Sequence, residues 1–124
     1  MASEFRISDG IVFVTFSGIL SSDSLRDAFQ RMAEIEAESD PVPNRLVDIS
    51  ATEGVNLNFT SMIGLAEMRA NAPLKNATKT AVVTGNLVQH GFARMFHTLN
   101  KNPNITIQIF SSESEGLAWL RAEP

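Results

Sequence analysis

Two apolar periods alternate along this 124-residue chain, and that alternation limits the fold more than any other feature. Runs with every second residue apolar read as strands, and runs with apolar residues three and four apart read as helices. The opening "EFRISDGIVFVTFSG" holds two strand-like runs around Asp9-Gly10. Asp-Gly favours a two-residue turn with positive φ at both central positions. Such a turn pairs Ser8 with Ile11, Ile7 with Val12, Arg6 with Phe13 and Phe5 with Val14. Phe5, Ile7, Val12, Val14 and Phe16 then share one face, so turn and apolar pattern agree on one register.

A helix follows in "ILSSDSLRDAFQRMAEIEAESD", with Leu25, Ala28, Phe29, Met32 and Ile35 at helical spacing and Ser21 or Ser22 as cap. Glu34, Glu36 and Glu38 crowd its far end, where the helix dipole disfavours them. The prolines of "DPVPN" end it. "RLVDIS" is a strand, and "FTSMIGLAEMRANA" a second helix with Asn58 as N-cap. "TKTAVVTG" is a strand, and "LVQHGFARMFHTLN" a third helix with Val88, Phe92, Met95, Phe96 and Leu99 apolar. "ITIQIF" is the last strand, and Ser112 with Glu115 opens a fourth helix over "ESEGLAWLRA" as a capping box. The order is ββαβαβαβα. It implies an α/β fold: one domain over residues 1–124, with a mainly parallel sheet, right-handed crossovers and an antiparallel N-terminal strand.

The faces of the strands add a further expectation. Val12, Val14, Phe16, Val47, Ile49, Ala81, Val83, Ile105, Ile107 and Ile109 fall on one side; Phe13, Leu46, Asp48, Thr80, Val82, Gln108 and Phe110 fall on the other. The alternation predicts all four helices on the first face and a mixed, partly open second face. Phe13, Leu46, Val82 and Phe110 are too apolar for water, so a second copy is expected to cover them as a homodimer.

The composition narrows the chemistry. There is no cysteine, which excludes thiol catalysis, disulfides and Cys–metal sites. No signal core and no apolar run long enough to span a membrane occurs, so a cytoplasmic protein without an integral membrane segment is expected. Residues 1–67 carry a net −7, whereas residues 68–112 carry +5 and no acid. Those five bases lack interleaved aromatics, which argues against nucleic-acid binding. They offer a surface to an anionic partner or to the chain's own acidic half.

Three segments resemble the SpoIIAA-like branch of the STAS (sulfate transporter and anti-sigma-factor antagonist) superfamily, across nearly the whole chain. They are "VFVTFSGILSSDSL", where a strand enters a Gly-Ile-Leu-Ser helix start, "RLVDIS", and "IFSSESEGLAWL". The resemblance implies a β-α superhelix with helices mostly on one side, a topology shared with the CRAL-TRIO lipid-binding fold. It implies a non-enzymatic regulatory or protein-interaction module, with no cofactor. It also implies a phospho-acceptor serine at the start of the second helix, in an Asp-Ser-Ser-Gly-like motif after an Asp-Leu-Ser-like triplet. Asp48-Ile49-Ser50 matches the triplet; Ser61 is the nearest positional match to the acceptor, with Thr60 next. The intervening "ATEGVNLNFTSMIG" is longer and lacks Asp-Ser-Ser-Gly.

Candidate sites follow from position. Ligands of open parallel sheets bind outside the carboxyl ends of the strands. Asp48, Ser50, Asn58, Thr60 and Ser61 fall there, as a ligand or phospho-acceptor loop beside a helix N-terminus. Ordinary capping competes for the same side chains. His90, Arg94, His97 and Lys101 recur at i, i+4, i+7 and i+11, a stripe for an anionic partner or a solvated face. The histidines are two turns apart, too far for one metal, and no catalytic constellation or metal site is expected. A protein-interaction role leads; a carrier or sensor of a small apolar, amphipathic or anionic ligand is the alternative.

Overall fold

The computed structural model describes residues 3–122. Strands β1 (Ser3–Ser8) and β2 (Ile11–Phe16) form the N-terminal hairpin, in the register that the turn and the apolar pattern both require. Asp9 and Gly10 both have positive φ, 52° and 74°. Glycine meets that demand at no steric cost, and aspartate tolerates it.

Strands β4 (Asn44–Asp48), β6 (Thr78–Val83) and β7 (Ile105–Phe110) extend the hairpin into a five-stranded sheet of order β1-β2-β4-β6-β7. Every pairing after the hairpin is parallel. Helices α1 (Ser22–Glu38), α2 (Phe59–Ala70) and α3 (Leu87–Leu99) are the crossovers, and α4 (Glu113–Arg121) follows the last strand. Each helix starts at a side-chain cap: Ser21, Asn58, Asn86 and Ser112 accept from the third backbone N–H inside.

Two further strands interrupt the expected order. β3 (Gly18–Ser21) and β5 (Thr52–Asn56) pair in parallel as a separate small sheet. The long segment after "DIS" is therefore a strand and not a plain connector. Gly54, which has no side chain, hides its alternation, and its partner lies more than thirty residues upstream.

The helices do not all lie on one face. α1, α2 and α3 do, over a core of Val12, Val14, Phe16, Leu25, Ile49 and Leu65. α4 crosses to the opposite face, where Leu120, Leu117 and Trp119 cover Ile11, Phe13, Leu46 and Phe110. The face expected to be open is thereby closed by the chain itself, and the argument for a second copy loses its basis. Arg6 adds cover, its guanidinium 4.1 Å from the Phe13 ring centroid.

Strand β6 shows why the faces were misassigned. Leu46 pairs with Ala81 and Val47 with Val82, so Ala81 and Val83 point to α4 while Thr80 and Val82 point to the larger core. A central strand covered on both sides is apolar on both, and its alternation no longer marks a face.

α4 sits close to the sheet at Gly116. A β-carbon there would lie 3.3 Å from Ala81 Cβ and 3.3 Å from Leu46 Cδ1. Gly116→Leu is expected to lose about 1–3 kcal/mol of stability through overpacking. Urea denaturation measures it, and an unchanged midpoint would mean that α4 is not seated on this face.

Candidate functional site

The carboxyl ends of the strands carry the loop from Asp48 to Ser61. Asp48 Oδ1 accepts from the Ser50 backbone N–H at 2.8 Å and from the Ser50 hydroxyl at 2.6 Å. The aspartate thus folds the loop back on itself, as an Asx turn does. Asn58 Oδ1 accepts from the Ser61 N–H at 2.8 Å and caps α2. Thr60 is exposed and Ser61 half-buried in the first turn. Of these five residues, Asp48 and Ser50 are joined side chain to side chain, and Asn58 binds the Ser61 backbone.

Gln89 welds this end together, a role its sequence position did not announce. At 2% exposure it is buried. Its Oε1 accepts from the Gly85 N–H at 2.6 Å, and its Nε2 donates to Thr52 Oγ1 at 3.1 Å. The first turn of α3 is thus tied to the start of β5. Burying Gln89 turns the helix: Phe92, Ala93 and Phe96 face inward, while Val88 and Met95, expected inside, are 68% and 42% exposed.

Exposed apolar side chains gather around the same end. Leu87 (89% exposed) and Val88 open α3, Phe59 and Ile63 open α2, and Ile19 lies on β3. The basic stripe runs along α3 from the same end, with His90 and Arg94 three and seven residues after Leu87. His90, Arg94 and His97 are exposed along α3, and Lys101 is exposed just beyond its C-cap. The other bases of the acid-free stretch are engaged elsewhere. Lys79 Nζ donates to the carbonyls of Trp119 and Ala122 at the end of α4, Lys75 Nζ to the Ser39 carbonyl, and Arg69 points into the core.

Arg69 belongs to a buried ionic cluster. Glu36, on the last turns of α1, accepts from Arg45 Nη1 of β4 at 2.9 Å and from Arg69 Nη1 of α2 at 3.1 Å; Arg69 Nη2 also donates to it. This explains the acid at an unfavourable helix end: Glu36 faces inward to two guanidiniums. Arg45 Nε donates further to Thr80 Oγ1 at 3.2 Å. Burial pulls the Arg45 pKa down to about 10, with Glu36 opposing and Arg69 adding to the shift, so the group stays charged near neutral pH.

Beside the cluster lies a cavity of about 100 Å³ between the sheet and helices α1 and α3. Phe5, Phe16, Phe29, Phe92 and Phe96 contribute to its walls, and Arg45 and Arg69 border it. A second depression, of about 260 Å³, lies between α1 and α2 with Glu36 and Arg69 in its lining. Among the described residues, no three His, Asp or Glu side chains cluster as a metal site, and no helix is long and apolar enough to cross a membrane.

No family model and no curated protein matches the chain. Solved structures do match, over almost its full length. An anti-sigma factor antagonist from Mycobacterium paratuberculosis superposes with a TM-score of 0.62 at 16% identity, over 97% of this chain and 93% of that one. The anti-sigma factor antagonist SpoIIAA in its unphosphorylated form gives 0.59 at 12% identity, over 98% and 100%. An uncharacterized protein with a SpoIIAA-like fold from Shewanella loihica gives 0.59 at 18% identity, over 96% and 92%. The fold is therefore SpoIIAA-like, as the three sequence segments imply.

Removing one partner from a buried ionic cluster leaves a charge unpaired. Glu36→Ala is expected to lose about 3–5 kcal/mol in urea denaturation, with the apolar triple variant Glu36→Leu, Arg45→Met, Arg69→Met far less affected. Equal losses in the two would show that packing volume, not charge pairing, matters at this position. At the loop, Asn58→Ala is expected to cost about 1 kcal/mol through loss of the cap. An Asn58→Asp variant that keeps full stability would confirm the capping role.

Proposed function

We propose that this protein is a non-enzymatic, regulatory interaction domain that docks a protein partner at the carboxyl end of its sheet. The carrying observation is the set of solvent-exposed apolar side chains there: Ile19, Phe59, Ile63, Leu87 and Val88. Exposed apolar surface rimmed by polar groups marks interaction sites. The surrounding frame is stiff, because Asp48, Asn58 and Gln89 fix the loop and both helix starts. The likeness to two proteins described as anti-sigma factor antagonists supports a regulatory role.

Ser61 supplies the regulation in this proposal. It lies two residues after Phe59, in the first turn of α2. A phosphate there adds nearly two negative charges where the helix dipole accepts them, at the same end of α2 as the apolar docking residues. Modification would then oppose apolar docking without unfolding the helix.

Pull-down from native extract tests both parts. The double variant Phe59→Ser, Leu87→Ser is expected to lose captured partners at least tenfold while keeping its thermal transition. Incubation with extract and ATP is expected to add one phosphate to Ser61 or Thr60, read by peptide mass. Undiminished capture by the double variant would move the partner surface elsewhere, for instance to the stripe at His90, Arg94, His97 and Lys101. Modification confined to other residues would remove the switch.

A further inference from the structure

Independently of partner docking, we infer that the cavity beside Arg45 is a binding site for a small apolar monocarboxylate. Three observations carry this. The first is charge. The buried ionisable side chains among the described residues are Glu36, Arg45 and Arg69, which leaves one positive charge without a buried counterion. Buried charges are ordinarily paired, and an unbalanced one calls for an anion.

The second is an unused donor. Arg45 is 3% exposed; its Nε goes to Thr80 and its Nη1 to Glu36, and among the described residues nothing accepts from Nη2. Every fully enclosed side-chain nitrogen or oxygen in that set has a partner. Nη2 is therefore not fully enclosed, and Arg45 is one of the residues that line the cavity. A guanidinium edge with a free N–H suits a carboxylate oxygen.

The third is the wall. Away from the arginines, Thr80 and Asn100 the lining is phenylalanine, Met32 and aliphatic side chains, including Ala28 and Ala93 of α1 and α3. Such a wall takes a hydrocarbon tail and rejects a strongly hydrated anion such as phosphate. Size sets the tail length. A cavity of roughly 150 Å³ holds the six carbons of benzene, so the smaller cavity of about 100 Å³ here takes a tail of at most about five carbons. Arg45 marks its charged end, at the amino end of β4, and the lining runs along the sheet to Phe16 and Ile49 at the carboxyl ends of β2 and β4.

Isothermal titration and protein-observed NMR with hexanoate, hexanol and inorganic phosphate test the site on the unmodified chain. Hexanoate is expected to bind saturably at one equivalent, with hexanol and phosphate each at least about tenfold weaker. Arg45→Gln is expected to bring hexanoate down to the level of hexanol. Ala93→Leu, which fills the cavity and alters no charge, is expected to abolish both. It keeps the test sharp if loss of Arg45 unfolds the protein. Equal binding of hexanoate and hexanol would overturn the charge argument. Absence of saturable hexanoate binding, or full binding by Ala93→Leu, would overturn the site itself.

Discussion

Glu36 is the point at which three elements of this protein meet. Its carboxylate receives Arg45 from the central strand β4 and Arg69 from α2, and it stands on α1 itself. Desolvating a carboxylate and two guanidiniums is costly, and only close geometry with several hydrogen bonds offsets it. The cluster therefore ties α1 and α2 to the sheet at one register. A different packing of either helix would strand a buried charge. The surrounding apolar core has no such directional demand, so the ions set the positions at which the core closes. Phe29 illustrates the coupling: its ring lies 5.9 Å from the Arg69 guanidinium on one side and 5.6 Å from the Phe96 ring on the other.

The two ends of the sheet thereby acquire different characters. At the carboxyl ends, polar side chains are committed to the backbone. Asp48 holds its loop, Asn58 and Asn86 cap their helices, and Gln89 bridges α3 to β5. The exposed apolar side chains there include Phe59, Leu87 and Val88. At the amino end of β4 the pattern inverts, with the charge of Arg45 buried beside an apolar cavity.

Local features of this fold were legible in the sequence. The hairpin register followed from Asp9-Gly10 and two alternating runs, because a tight turn leaves one pairing that buries Phe5, Val12, Val14 and Phe16 together. Caps were legible for the same reason: Asn58 and Ser112 act on backbone groups three residues away. The three crossover helices share a face because right-handed connections between neighbouring parallel strands leave no other choice. α4 escaped that rule, since no strand follows it to define a crossover. Its side was decided by Gly116, which lets the helix approach Leu46 and Ala81.

The sequence by itself determined the order of the main strands and helices, the register of the hairpin and the ends of the helices. Each of these depends on contacts between residues close along the chain, where spacing and turn chemistry carry the information. Only the tertiary structure decided that Glu36 faces inward, that β3 and β5 pair, that Gln89 is buried and that an apolar cavity adjoins Arg45. These depend on partners roughly nine to thirty-seven residues away. A glutamate, a glutamine or an arginine reads as solvent-exposed until the fold brings its counterpart within hydrogen-bonding reach.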